Sequence, residues 1–166
     1  MQNENFSPCQ VERIFSNLDE LVAFQKSFLA ELEKSFNPEN PEKSAFGKVF
    51  QQNVTQFRVY APYCVNYGSA LDELNRLESL PVITGFFEEC RLRKNMQKLK
   101  LADFLLGPIQ RICKYPLHLS ELQKYTEVYH GDAKATGKAL IDMKKLTQVR
   151  YFISLIFSTS FRNLLN

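Results

Sequence analysis

Residue types that carry out acid–base chemistry are present in this 166-residue chain, but their spacing does not form a catalytic pattern. Carboxylates occur in close pairs, as at Glu31 and Glu33 or at Glu88 and Glu89. Acids on amphipathic helices are usually solvated, and nothing nearby selects a general acid and a general base. The sequence also lacks the phosphate-binding P-loop, the dinucleotide fingerprint, the HExxH zinc motif and the GxSxG nucleophile elbow. We therefore expect no covalent catalysis and no cofactor.

Thiol and imidazole groups are spaced too widely to predict a metal site. No Cys-x-x-Cys pair occurs, and neither histidine flanks a cysteine; the residues concerned are Cys9, Cys64, Cys90, Cys113, His118 and His130. We expect neither a zinc site nor a disulfide framework. The four cysteines are interpreted as buried thiols of a protein in a reducing compartment.

Positive charge is concentrated in one stretch, although the net charge of the chain is only +3. The cations of this stretch are Arg91, Arg93, Lys94, Lys98 and Lys100, and no acid lies among them. A solvated turn between helices is one interpretation, and weak contact with an acidic membrane or an acidic partner through residues 91–100 is the other. No nucleic-acid partner is expected, because no aromatic residues are interleaved to stack on bases.

The most unusual stretch is LKLADFLLGPIQRICKYPLHLSEL, at residues 99–122. It places Pro108 and Pro116 inside a helical pattern, where an ordinary interior proline costs about 3 kcal/mol. The stretch resembles the third conserved region of the Dbl-homology family. The matching residues are Pro108, Gln110, Arg111, Ile112, Lys114, Tyr115, Pro116, Leu117, Leu119, Glu121 and Leu122.

Two further blocks resemble the same family in the same order. VERIFSNLDELVAFQKSFLAELE is similar to the helix that follows the family's first conserved region, and GKVFQQNVTQFRVYAPYCVNYGSALDEL is similar to its second. The resemblance implies a domain that binds a Rho, Rac or Cdc42-like small GTPase and holds it free of nucleotide, so that GDP leaves and GTP enters. A noncatalytic GTPase-binding or scaffold module is the alternative, and a helical adaptor unrelated to GTPases is the third hypothesis.

The resemblance also implies which side chains meet the GTPase. Lys114 matches a basic position that reaches the second switch region, and Gln110 lies about one turn before it on a similar face. Arg111 serves packing or a buried ion pair as readily as the partner. His118 stands where the family often has leucine, so it is either a residue that tunes partner choice or an ordinary, partly exposed histidine.

The chain departs from the family pattern at both ends. Only ten residues precede Val11, so we expect the family's first helix and its glutamate to be lacking, which would leave apolar side chains uncovered. At the other end Tyr151 stands in place of an asparagine that contacts the GTPase, within a divergent apolar tail at 147–166. Either this is a truncated or mispredicted gene product, or the tail folds back over the uncovered face.

Helical periodicity predicts the elements that position these residues. We expect one long helix from Pro8 to Phe36, a second over 45–77 that breaks at Pro62, and a third from Pro81. A fourth should run from Leu101 to about Tyr129, and a fifth should follow a break at HGDAKATG.

The predicted fold class is all-α, an elongated helical bundle of the Dbl-homology type that lacks the family's first helix. It forms a single, partial domain over 1–166 that is family-like over about 11–146. No apolar run approaches the roughly 20 residues of a membrane span, so we expect a soluble cytoplasmic protein. Recruitment of this protein to a membrane surface is compatible with that expectation. The oligomeric state cannot be read from the sequence.

Overall fold

The regular structure of the described chain is entirely helical. The computed structural model describes residues 6–93 and 98–148, and no strand occurs in these ranges. The helices are α1 (Pro8–Phe15), α2 (Leu18–Ser35), α3 (Phe46–Gln52), α4 (Tyr60–Glu78), α5 (Pro81–Arg93), α6 (Leu101–Tyr125) and α7 (Ala133–Gln148), with short 3-10 turns at Pro41–Lys43 and Gln56–Val59. Helices α1 and α5 pack on α4, while α3 and α6 pack on α7. The predicted all-α bundle is confirmed.

The N-terminal segment forms two helices, so the prediction of one long helix is wrong. Ser7 caps α1 as its sequence indicates, since its Oγ accepts from the Gln10 N–H at 3.3 Å and Pro8 takes the first helical position. The chain breaks at Ser16, where φ is 50°. The Asn17 amide then donates to the Val59 carbonyl at 2.9 Å, a tertiary contact that apolar periodicity cannot reveal.

The second helical stretch breaks before Pro62 rather than at it. Helix α3 ends at Gln52, and α4 begins at Tyr60, so Pro62 lies in the first turn of α4. The N–H groups of a first turn have no partner within the helix, and a proline there removes no hydrogen bond. Asn53 holds the break instead, because its amide donates to Glu31 Oε2 at 2.6 Å and to the Val49 carbonyl at 3.0 Å.

The last two helices follow the prediction more closely. Helix α6 contains both prolines and ends at Tyr125, four residues before the predicted end. Helix α7 begins at Ala133, inside the segment that was predicted as a break. Asp132 explains this start, because its backbone carbonyl accepts from the Thr136 N–H at 2.8 Å and its carboxylate accepts from the Thr136 hydroxyl at 3.2 Å.

The loop before α7 also caps the start of α3. The Asp132 carboxylate accepts the backbone N–H groups of Gly47 at 2.6 Å and Lys48 at 3.0 Å. A Cβ atom at Gly47 would lie only 2.4 Å from the backbone nitrogen of Thr136. The close approach of α3 to α7 therefore requires glycine at this position.

Aromatic rings form the centre of the core. Phe57 is fully buried and contacts Phe28 at a centroid distance of 5.0 Å and Tyr115 at 5.4 Å, both with nearly perpendicular rings. Phe50 meets Tyr115 at 5.4 Å. Such edge-to-face pairs stabilise beyond the area they bury. The rings come from α2, α3, α6 and the 3-10 turn before α4, so this cluster holds four segments together.

The cysteines differ in exposure, and the prediction of four buried thiols is wrong for two of them. Cys9 and Cys90 are exposed, because they lie on outward faces of α1 and α5. Cys64 is buried, and burial raises the pKa of its thiol to about 12. Within 6–93 and 98–148, no three His, Cys, Asp or Glu side chains lie close enough to hold a metal ion, and no helix is long and apolar enough to cross a membrane.

Candidate functional site

One face of α6 presents three of the candidate site residues to solvent. Gln110, Lys114 and His118 recur every fourth residue, so they lie on successive turns of the same face, and all three are exposed. The opposite face carries the buried residues Leu105, Ile109, Ile112, Pro116 and Leu119. The helix therefore uses one side for the core and leaves the motif's polar residues available to a partner.

An apolar side chain lies on the same exposed face. Leu117 is 65% exposed, although it stands between the exposed polar residues Lys114 and His118. The face therefore combines one apolar side chain with polar and basic ones.

Arg111 lies at the edge of this face and is tied to the interior. Its Nη1 donates to the Tyr115 hydroxyl at 3.4 Å, and that hydroxyl donates to Gln25 Oε1 at 2.7 Å. A tyrosine hydroxyl has one proton, which fixes the direction of this relay. The hydrogen bond to Tyr115 raises the pKa of Arg111. This hydrogen bond corresponds to the packing role expected for Arg111, and the residue is exposed at the same time.

Sequence reasoning did not select Gln25 as part of the site. Gln25 lies in α2, and 90 residues separate it from Tyr115. Its position in the amphipathic pattern of α2 carries no signal of this contact. Tyr115 belongs to the sequence motif, but its hydroxyl can donate to Gln25 only because α2 packs beside α6.

Helix α4 supports α6 from behind. The buried Tyr63 hydroxyl donates to the Leu105 carbonyl at 2.8 Å, in the turn before Pro108. Pro108 has no N–H, so the Phe104 carbonyl lacks its usual donor four residues later. Burial raises the pKa of the Tyr63 hydroxyl above its ordinary value. The contact anchors α6 where its own hydrogen-bond ladder is interrupted.

The basic stretch is less positive than its sequence suggested. Arg91 pairs with Glu88, and Arg93 Nη2 lies 2.6 Å from Glu89 Oε1. The interpretation of these cations as uncompensated is therefore wrong for Arg91 and Arg93, because helical spacing brings acids from the preceding turn beside them. Lys98 and Lys100 are exposed. Lys94 and Tyr151 lie outside the described residues.

The sequence of the chain matches a known domain family and several known proteins. The family model of the RhoGEF domain matches residues 1–149. The chain is 43% identical over 144 residues to human Rho guanine nucleotide exchange factor 4, covering 87% of this chain and 21% of that protein. It is 42% identical over 141 residues to human spermatogenesis-associated protein 13, covering 85% and 22%. The chain thus spans about a fifth of the length of these curated relatives.

Solved structures resemble the fold. The activated truncation of Vav1 in its apo form superposes with a TM-score of 0.77 at 30% identity, covering 86% of this chain and 36% of that one. The DH domain of FARP2 superposes with a TM-score of 0.80 at 22% identity, covering 98% of this chain and 80% of that one. At 22% identity, the similarity to the DH domain of FARP2 concerns the fold alone.

Proposed function

Because the chain belongs to the RhoGEF domain family, we propose that it promotes GDP release from a Rho-family small GTPase by stabilising the nucleotide-free state. The exposed face of α6, with Lys114 and Gln110 at its centre, supports this proposal. Both residues stand at the motif positions where the resemblance implies GTPase contact. They are also free of the hydrogen-bonding relay that ties Arg111 to the core.

The proposed mechanism needs no covalent step and no cofactor of the domain. The domain binds the nucleotide-free GTPase better than the GDP-bound form, and by reciprocity it weakens GDP binding by the same free energy. A hundredfold weakening corresponds to about 2.8 kcal/mol of differential binding. One charged hydrogen bond contributes roughly 1.5–3 kcal/mol, so Lys114 alone could supply a large part of it.

Each residue of the face has a separate proposed task. Lys114 offers its ammonium to the second switch region, and Gln110 offers an amide to the same area. Leu117, which is exposed beside them, adds apolar contact. His118 contributes to the choice among Rho, Rac and Cdc42-like partners. The domain would act in the cytoplasm, where Lys98 and Lys100 give at most a weak contact with acidic membranes.

The second candidate function is a noncatalytic GTPase-binding module. The sequence at Tyr151 favours it, because the family has an asparagine there that contacts the GTPase. Such a module keeps the α6 face and binds the GTPase without accelerating nucleotide release. The two candidates differ in exchange activity and share the binding surface.

Release of fluorescent GDP from a panel of Rho, Rac and Cdc42-type GTPases tests the proposal. We expect the full chain to accelerate release on at least one member, and Lys114→Ala to reduce that acceleration by about tenfold or more. Lys34→Ala is the matched control, because Lys34 is an exposed lysine in the last turn of α2, outside the α6 face.

Two other outcomes would lead to different conclusions. No acceleration on any GTPase, with retained binding to a nucleotide-free GTPase that Lys114→Ala abolishes, would establish the noncatalytic module. Equal activity of Lys114→Ala and Lys34→Ala would instead remove Lys114 from the contact surface.

A further inference from the structure

The solvent side of α2 carries a line of large apolar side chains. Val22 is 43% exposed, Leu29 is 54% exposed, and Phe36, the C-terminal cap of the helix, is 47% exposed. They follow one another at intervals of seven residues, just under two helical turns, so they lie nearly in line along about 21 Å of the helix. Single exposed apolar residues are common on protein surfaces, whereas a line of three along one helix suits contact with another chain.

Two exposed residues of opposite charge lie between the apolar ones. Lys26 stands between Val22 and Leu29, and Glu33 stands between Leu29 and Phe36. Within residues 6–93 and 98–148, neither Lys26 nor Glu33 forms an ion pair. These five residues, which we call the α2 stripe, alternate in spacing between four and three positions. This is the spacing of a helix face that packs against a second helix.

The order of the α2 stripe is complementary to itself when a second copy runs in the opposite direction. If Leu29 of one copy lies opposite Leu29 of the other, Val22 falls opposite Phe36, because each is seven residues from Leu29. Lys26 and Glu33 are three and four residues from Leu29, so the ammonium of one copy falls beside the carboxylate of the other. A two-fold axis relates the two halves of this contact, as it does in most homodimers.

We propose that the α2 stripe is a homodimer interface, in which two copies of α2 pack antiparallel about a two-fold axis at Leu29. A parallel pairing would place Lys26 beside Lys26 and Glu33 beside Glu33, which like-charge repulsion disfavours. The antiparallel pairing instead forms two ion pairs and three apolar contacts. The inference concerns a surface on α2 and does not depend on the proposed binding of a GTPase.

Small side chains beside the stripe leave room for the second helix. Ala23 and Ala30 are exposed and directly follow Val22 and Leu29 in the sequence. In the antiparallel arrangement, Leu29 of one copy packs over Ala30 of the other, and Phe36 packs over Ala23. Large side chains set against methyl groups allow two helices to approach to the usual interaxial distance of about 8–10 Å.

The contact is short, so the dimer should be weak. Each copy contributes about four turns of one helix, and interfaces that bury less than about 1,200 Å² in total are usually transient. The apolar part contributes about 25 cal/mol for each Å² buried, from which the cost of association must be subtracted. We therefore expect monomer and dimer in equilibrium, with a dissociation constant of roughly 10–100 μM.

Sedimentation velocity of the full chain at about 5 to 300 μM measures this equilibrium. We expect the weight-average mass to rise with concentration from the 19.3 kDa of the monomer toward twice that value. The buffer is reducing and low in salt, because Cys9 and Cys90 are exposed and could otherwise link two copies. A chain that remains monomeric over the whole range would overturn the proposal.

The apolar centre of the stripe is tested by Leu29→Asp. The substitution places two carboxylates against each other at the two-fold axis, so it should weaken the dimer more than tenfold. Val65→Asp is the matched control, because Val65 is a 59% exposed apolar residue on α4, and its substitution should leave the equilibrium within about twofold. Equal dimerisation of the two variants would place the contact elsewhere and overturn the proposal.

Exchange of the two charges tests the antiparallel order. Lys26→Glu and Glu33→Lys should each weaken the dimer about tenfold, because each brings like charges together at both ion-pair positions. The double variant keeps the net charge of the chain and restores opposite charges at both positions, so it should dimerise within about threefold of the unaltered chain. A double variant as weak as the single ones would overturn the proposed pairing. Circular dichroism verifies that each variant keeps its helix content.

Discussion

Two neighbouring cations of the α6 motif have different environments. Lys114 faces solvent, while Arg111 donates to Tyr115, which in turn donates to Gln25. These hydrogen bonds hold the Arg111 side chain against the bundle, whereas the Lys114 side chain remains available to a partner. The sequence motif gives only residue types, so it cannot distinguish the two environments. The structure distinguishes them, because the Tyr115 hydroxyl accepts a hydrogen bond from Arg111.

At the residue scale, Tyr115→Phe should lower the free energy of unfolding by about 1–3 kcal/mol. The substitution removes the buried donor to Gln25 and the acceptor for Arg111, and an unpaired buried polar group carries its desolvation cost. Urea denaturation followed by circular dichroism measures the change. Tyr125→Phe in the same helix is the control, because Tyr125 is 76% exposed and should change stability by less than about 0.5 kcal/mol. Equal effects of both substitutions would contradict the relay.

At the scale of elements, α3 approaches α7 so closely that position 47 requires a glycine. Asp132 accepts two N–H groups at the start of α3 and the hydroxyl of Thr136 on α7. His130 adds a contact from its ring to the Glu42 carbonyl. Together these bonds join the loop before α7 to the segment that leads into α3.

Gly47→Ala should therefore destabilise the fold by about 1–3 kcal/mol or more, since its Cβ would overlap the Thr136 backbone and force α3 away from α7. Gly85→Ala in α5 is a matched control, because a Cβ there meets nothing within 4 Å. A helix-interior glycine replaced by alanine without a clash gains about 0.5–1 kcal/mol. Thermal and urea unfolding of both variants should give opposite signs, and a shared sign would argue against the close approach.

On the scale of the whole molecule, the aromatic cluster unites the parts that carry the site. Phe57 contacts rings from α2, α3 and α6, and it has no exposed surface. The exposed face of α6 therefore lies on a helix whose opposite face belongs to this cluster. Loss of the cluster would therefore disturb the proposed binding face indirectly.

Phe57→Ala should cost about 3–5 kcal/mol, the range for a large aromatic side chain removed from a packed core. Differential scanning calorimetry should show a lower Tm or the loss of a cooperative transition. Phe36→Ala removes the same atoms from a ring that is 47% exposed, and it should cost clearly less. A comparable loss from both variants would mean that Phe57 is not the centre of the core.

The sequence by itself determined the helical class and most helix positions, because apolar spacing reports which face of each helix is buried. It also determined the α6 motif and the shared face of Gln110 and Lys114, since a four-residue interval fixes a face without reference to other elements. The family followed from the same motif. These properties depend on neighbours within one helix.

Only the tertiary structure decided three features. These are the helix break at Ser16, the hydrogen bonds that join Arg111 through Tyr115 to Gln25, and the close approach of the Thr136 backbone that requires glycine at position 47. Each depends on contacts between residues far apart in the chain, such as the 85 residues between Gly47 and Asp132. Periodicity describes one helix at a time, whereas these features arise where two helices meet, and so they required the packed structure.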